Sequence, residues 1–171
     1  MCVTALVLVG CGCSSSPIAT TEDRKPNAPF AASAQKAAQA AIGGDAYDLE
    51  RDEQLGGHTL KKHVGRTDEE LRERLRWERE ISAASTWTDR TVAEQTIAAA
   101  LKAEHTKVQR WIERGYPRPN LALRFDARQT IGRSLRRGES QVEPCTQAVI
   151  VLKPDGRENF HVLTAYPEAR E

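Results

Sequence analysis

The side chains with most chemistry to offer are two histidines, His58 and His63, in the run Gly56-Gly57-His58-Thr59-Leu60-Lys61-Lys62-His63-Val64-Gly65. Imidazole titrates near neutrality, which suits it to proton transfer. Two glycines before the pair and one after it predict a tightly routed segment, where backbone passes close to another part of the chain. The plainer reading is a lead into a helix with two incidental histidines. Arg74 is next. Wound at about 100° per residue, Leu71, Leu75, Trp77 and Ile81 define an apolar arc that includes Arg74 and leaves Arg72 and Arg76 outside. A guanidinium in a packed arc requires a partner. Glu70 and Glu78, each four residues away, are the structural choice; a phosphate, which the planar fork matches, is the functional one. Near the C-terminus, strict alternation puts Phe160, Val162, Thr164 and Tyr166 on one strand face and His161 on the other. Two hydroxyls on one face can bind phosphate oxygens or orient a catalytic group; a tyrosine packed on a helix is the bland alternative. His161, facing away, is a poor partner for His63, and His105, amid Glu104 and Lys107, reads as a solvated helix residue.

Other chemistries are excluded on spacing and composition. His58 and His63 are five apart, which fits neither face of a helix for joint ligation, and no cysteine or carboxylate cluster completes a zinc set nearby. No metal and no cofactor is expected. The formal net charge is +1, so a nucleic-acid partner would have to be held by a local site rather than a global field. Arg133, Arg136 and Arg137, with Lys153 and Arg157, either guide such a backbone or form a solvated edge. Cys2, Cys11, Cys13 and Cys145 leave a single cysteine in the body, so no disulfide framework is expected.

The elements that must carry these residues begin near Asp48. Thr67-Asp68-Glu69-Glu70 is a capping box and predicts a helix through about Glu80. A second helical stretch follows Thr88-Asp89, with Ile97, Leu101, Val108, Trp111 and Ile112 on one face, and stops at Gly115 and Pro117. Leu121 to Phe125, Ala148 to Leu152 and Phe160 to Tyr166 read as strands. Pro154-Asp155-Gly156 turns the last two into an antiparallel hairpin. Helices followed by antiparallel strands, without βαβ alternation, predict an α+β fold in which N-terminal helices pack on a C-terminal curved sheet.

Ahead of this body, Val3 to Val9 is a signal-peptide-length apolar run, too short to span a bilayer. Leu8-Val9-Gly10-Cys11 looks like a bacterial lipobox with Cys11 as the acylation site, although no Lys or Arg precedes the run. The division expected is a lipoprotein signal peptide over 1–10, a flexible linker rich in Ala, Ser, Thr and Pro over 11–44, and a folded domain over 45–171. The weak helical pattern of Ala31 to Ile42 falls in the linker. This predicts a lipid-anchored envelope protein at the outer membrane or periplasm, or an exported one, touching the membrane through its anchor only.

From Asp48 to Glu168 the sequence closely resembles the bacterial ribonuclease A-like toxin domain at the C-terminus of contact-dependent growth-inhibition (CdiA-type) proteins. The matching pieces are Asp48-Leu49, Asp52-Glu53, Gly56-Gly57-His58-Thr59-Leu60, His63-Val64-Gly65, Ile81-Ser82-Ala83-Ala84-Ser85 and Leu163-Thr164-Ala165-Tyr166-Pro167. The resemblance implies a ribonuclease A-like fold without its disulfides. It also implies a site of a histidine, an arginine eleven positions later, and a threonine and tyrosine two apart, which here are His63, Arg74, Thr164 and Tyr166, with His58 in reserve. The activity implied is metal-independent RNA cleavage through 2′-OH attack, with a cognate immunity protein as partner. A catalytically idle envelope lipoprotein, using the same fold to bind a partner, is the competing hypothesis.

Overall fold

The computed structural model describes residues 47–169. The expected signal peptide, Cys11, the linker and residues 45, 46, 170 and 171 lie outside them. Helix α1 (Leu49–Gln54) starts at Asp48, whose carboxylate accepts the backbone NH groups of Glu50 and Arg51 and so satisfies donors that the first turn leaves open. Helix α2 (Thr59–His63) follows. Helix α3 (Asp68–Trp77) carries both halves of the expected capping box at Thr67 and Glu70 and ends three residues earlier than expected. Strand β1 (Ala83–Trp87) comes next. The single helix expected after Asp89 is two, α4 (Arg90–Ala103) and α5 (His105–Ile112), broken at Glu104.

The strands form two three-stranded antiparallel sheets rather than one. In the first, β1 pairs with β3 (Gly132–Arg136), and β3 with β4 (Glu143–Cys145). In the second, β5 (Gln147–Asp155) lies between β2 (Leu121–Asp126) and β6 (Asn159–Glu168), which includes the expected hairpin. The main core gathers Leu49, Trp87, Ile97, Trp111, Leu123, Ile150, Leu152 and Val162. A smaller core of Leu71, Leu75, Ala84 and Leu135 seats α3 on the first sheet. Each of the leucines, isoleucines and valines among them contributes about 1.5–3 kcal/mol when fully removed from water. Trp77 does not join them: it is 79% exposed, which corrects the apolar arc expected for α3. Cys145 is free and buried.

Strand β6 departs from strict alternation. Val151 faces Thr164 and Leu152 faces Val162, so Leu163 is an extra residue, a β-bulge. Phe160, Val162 and Ala165 therefore enter the core, and the side facing away from it carries His161 before the bulge and Thr164 and Tyr166 after it. The expected common face of Phe160, Val162, Thr164 and Tyr166 is thus overturned, and His161 shares a side with the two hydroxyls.

With β5 on one edge of β6, the other edge is closed by groups from α1, α2 and β1. Val162 NH donates to the Asp52 carboxylate at 2.6 Å, and His58 NH donates to the Leu163 carbonyl at 3.0 Å. Ala165 NH donates to Thr59 Oγ1 at 2.8 Å, and Trp87 Nε1 donates to the Ala165 carbonyl at 3.0 Å. Four backbone groups of β6 around the bulge are thus met. The glycine run before His58 explains how the helices come so near. A Cβ on Gly57 would sit 2.7 Å from the Val162 carbonyl oxygen and 2.8 Å from that of Asp52. Only glycine fits there.

Candidate active site

Between α2, α3, β1, β3 and the end of β6 lies an open cleft of about 640 Å³, lined by His58, His63, Arg74, Ser85, Arg136 and Tyr166, among others. His63, the last residue of α2, is 6% exposed. Its Nδ1 lies 3.2 Å from the carbonyl oxygen of Ser85. A carbonyl only accepts, so Nδ1 carries the proton and Nε2 keeps its lone pair. Burial, and then the Arg74 guanidinium, lower the pKa of His63 to about 3, so the ring is neutral at pH 7. On its flank stands the Tyr166 ring, with centroids 5.4 Å apart and planes inclined by 30°. Burial, with Glu168 nearby, pushes the Tyr166 phenol above its ordinary value and keeps it protonated.

Arg74 makes the ion pair of the structural reading. Its Nε and Nη2 donate to the two carboxylate oxygens of Glu78 at 3.2 and 3.3 Å, and Nη1 donates to the Lys62 carbonyl at 3.4 Å. Glu78, not Glu70, is the structural partner, because Glu70 is occupied by the cap and by Arg66. The same guanidinium lines the cleft. His58, half-buried, also lines it, and burial followed by the Lys62 charge lowers its pKa. The cleft thus gathers His58, His63, Arg74 and Tyr166. Thr164 lies on the strand side of Tyr166 but is not part of the cleft wall; its Oγ1 is buried without a hydrogen-bond partner.

Of the five cations expected to guide a polyanion, Arg136 alone lines the cleft. Arg133 is tied to Asp68 and the Arg66 carbonyl. Arg137 clasps the carbonyls of Leu75, Glu78 and Ile81 at the end of α3. Both do structural work. Lys153 and Arg157 are exposed near the hairpin turn, away from the cleft wall. His105 is exposed on α5, as expected. His161 is 4% exposed with neither ring nitrogen hydrogen-bonded.

Sequence reasoning missed two groups that shape the site. The Ser85 carbonyl selects the His63 tautomer, and no residue type announces it, since every residue has a carbonyl. Asp52, 2% exposed, accepts both the Tyr47 hydroxyl at 2.7 Å and the Val162 NH. A buried carboxylate is costly without such donors. Its place in the Asp52-Glu53 pair was the available signal.

Residues 57–167 match the family model described as the bacterial CdiA-CT RNAse A domain. The chain belongs to this family. The match runs from Gly57 to Pro167 and so includes His58, His63, Arg74, Thr164 and Tyr166. This CdiA-CT ribonuclease A domain is also similar to a solved structure, the CdiA-CT/CdiI complex from Y. kristensenii 33638. Identity is 30% and the TM-score 0.59, covering 66% of this chain and 99% of that one. Comparison with curated proteins gives no match. The α+β fold of the CdiA-CT ribonuclease A domain agrees with the sequence expectation, and the mixed helices with two antiparallel sheets refine its single curved sheet.

Proposed function

We propose that this domain cleaves RNA without a metal, by transesterification to a 2′,3′-cyclic phosphate, as an antibacterial toxin. The observation that carries the reading is the convergence of His63, Arg74 and Tyr166 on one open cleft. His63 Nε2 takes the proton of the ribose 2′-OH, while the Nδ1–H bond to Ser85 holds the ring in place. The 2′-oxygen attacks phosphorus, and the bond to the 5′-oxygen breaks. Tyr166, protonated at neutral pH, gives its proton to that leaving oxygen. His58 is the reserve donor, but its lowered pKa leaves little imidazolium at pH 7. Arg74 balances charge growing on the non-bridging oxygens, while Thr164, outside the cleft wall with its hydroxyl buried, touches no substrate oxygen in this reading. DNA lacks the nucleophile and is spared.

A cognate immunity protein is the partner in this reading, supported by the CdiA-CT/CdiI complex of the relative. The resemblance of Leu8-Val9-Gly10-Cys11 to a lipobox supports delivery from, or retention at, the envelope. The deciding experiment mixes the full chain with total RNA in EDTA, beside His63→Ala. Cleavage by the parent and none by the variant is expected. No cleavage by either rejects the enzyme and leaves the binding-module hypothesis.

A further inference from the structure

The sequence contains three tryptophans. Trp87 and Trp111 are 0% and 3% exposed, whereas Trp77 is 79% exposed. A large aromatic left in water with no core role invites a ligand with a flat apolar face. Its position narrows the choice. Trp77 ends α3 one turn after Arg74, which lines the cleft, and just before Glu80 and Ile81, which line it too. On a helix, positions three apart are neighbours, offset by about 60° around the axis. Helical side chains also lean toward the N-terminus, which tilts the indole back over the turn that holds Arg74. Two residues on, Arg79 is exposed and has no ion pair or hydrogen bond among the described residues, while Arg72, Arg74 and Arg76 are all paired with glutamates.

We infer that Trp77 and Arg79 form an outer nucleotide subsite at the rim of the cleft, where Trp77 stacks on an unpaired base of single-stranded RNA and Arg79 meets the adjoining phosphate. An exposed ring and, two residues on, an uncommitted guanidinium are the groups that single-stranded nucleic acid uses: stacking accepts any base, and the cation tracks the backbone. Arg74 would hold the scissile phosphate one helical turn away. The inference rests on the ribonuclease reading, but its binding half can be measured separately.

The test uses the full chain and two probes. The first is a 2′-O-methyl oligoribonucleotide of about eight nucleotides, which binds but offers no nucleophile. It is expected to quench the emission of the exposed tryptophan in the parent, and this quenching disappears in Trp77→Phe. Arg79→Ala is expected to weaken binding and lower the salt slope by about one. The second probe is cleavable RNA, as a dinucleotide and as an oligonucleotide. In Trp77→Ala the ratio of oligonucleotide to dinucleotide kcat/KM is expected to fall by about 5- to 150-fold, and Trp77→Phe is expected to restore most of it. An unchanged ratio in Trp77→Ala overturns the subsite, as does oligonucleotide binding by the parent that leaves the emission of Trp77 unquenched. Quenching without any cleavage by the parent rejects the enzyme and keeps the subsite; absence of both rejects the two together.

Discussion

The imidazole of His63 rests against the ring of Tyr166, 5.4 Å between centroids, although the two lie 103 positions apart in sequence. One ring is buried neutral with Nε2 open, and the other keeps its phenolic proton. An acceptor and a donor of protons thus share one wall.

His63→Ala is expected to lower cleavage by about 10²–10⁴-fold, the usual contribution of a single well-placed proton carrier. Tyr166→Phe keeps the stacked ring and removes only the hydroxyl, so a comparable loss with an unchanged melting temperature separates chemistry from packing. RNA digestion in EDTA measures both.

The acid limb of kcat/KM reports the free protein's base. Because His63 is lowered to about 3, cleavage is expected to persist to about pH 5, where an ordinary imidazole is mostly protonated. A limb centred near the ordinary histidine value would contradict the buried, neutral ring.

The same shift governs stability. A histidine whose folded pKa lies below its unfolded value holds fewer protons when folded, so stability is present above 6.5 and is lost as pH falls toward 3. The span from 6.5 to about 3, at about 1.4 kcal/mol per unit, amounts to on the order of 5 kcal/mol. Asp52, raised chiefly by its burial, acts in the opposite sense: its ionised form costs stability at neutral pH, and protonation relieves that cost. Denaturant melts at several pH values should show His63→Asn losing less stability in acid than the parent.

Glu78 competes with any bound phosphate for the Arg74 guanidinium. Glu78→Gln is expected to lower KM for RNA, because the fork is freed from a charged partner. Arg74→Ala is expected to cost about 10²–10³-fold in kcat, as for other removed transition-state donors. Steady-state kinetics separates the two effects.

Gly57→Ala pushes a Cβ against two carbonyl oxygens, and Asp52→Ala strands the Val162 NH and the Tyr47 hydroxyl. Each is expected to destabilise by about 1–3 kcal/mol, seen as a lower midpoint in urea. Asp52→Asn, which still offers an acceptor oxygen, is expected to cost less.

Local patterns in the chain were sufficient for much of the architecture. Thr67 and Glu70 announce the start of α3, Asp89 heads the next helical stretch, and Pro154-Asp155-Gly156 turns the final hairpin. These depend on neighbours within a few residues, so sequence spacing reports them directly. The close routing at Gly57 was legible too, as a glycine with no reason to be elsewhere. Likeness to a family, more than periodicity, joined His63 and Arg74 to Thr164 and Tyr166.

Strand β1 was not read as a strand, because Ala83 to Trp87 has no alternation: four of its five residues are buried. Trp77 was placed in the core because hydrophobicity alone says nothing about which neighbours arrive. The bulge at Leu163 mattered most. A single inserted residue reverses every side chain beyond it, since the strand period is two residues. What holds that insertion is Asp52, His58 and Thr59, more than a hundred residues upstream. Residue types and short-range spacing therefore determined which helices and strands form. Long-range hydrogen bonds decided which way Thr164 and Tyr166 face, because a side chain's direction after a bulge depends on partners that no local window contains.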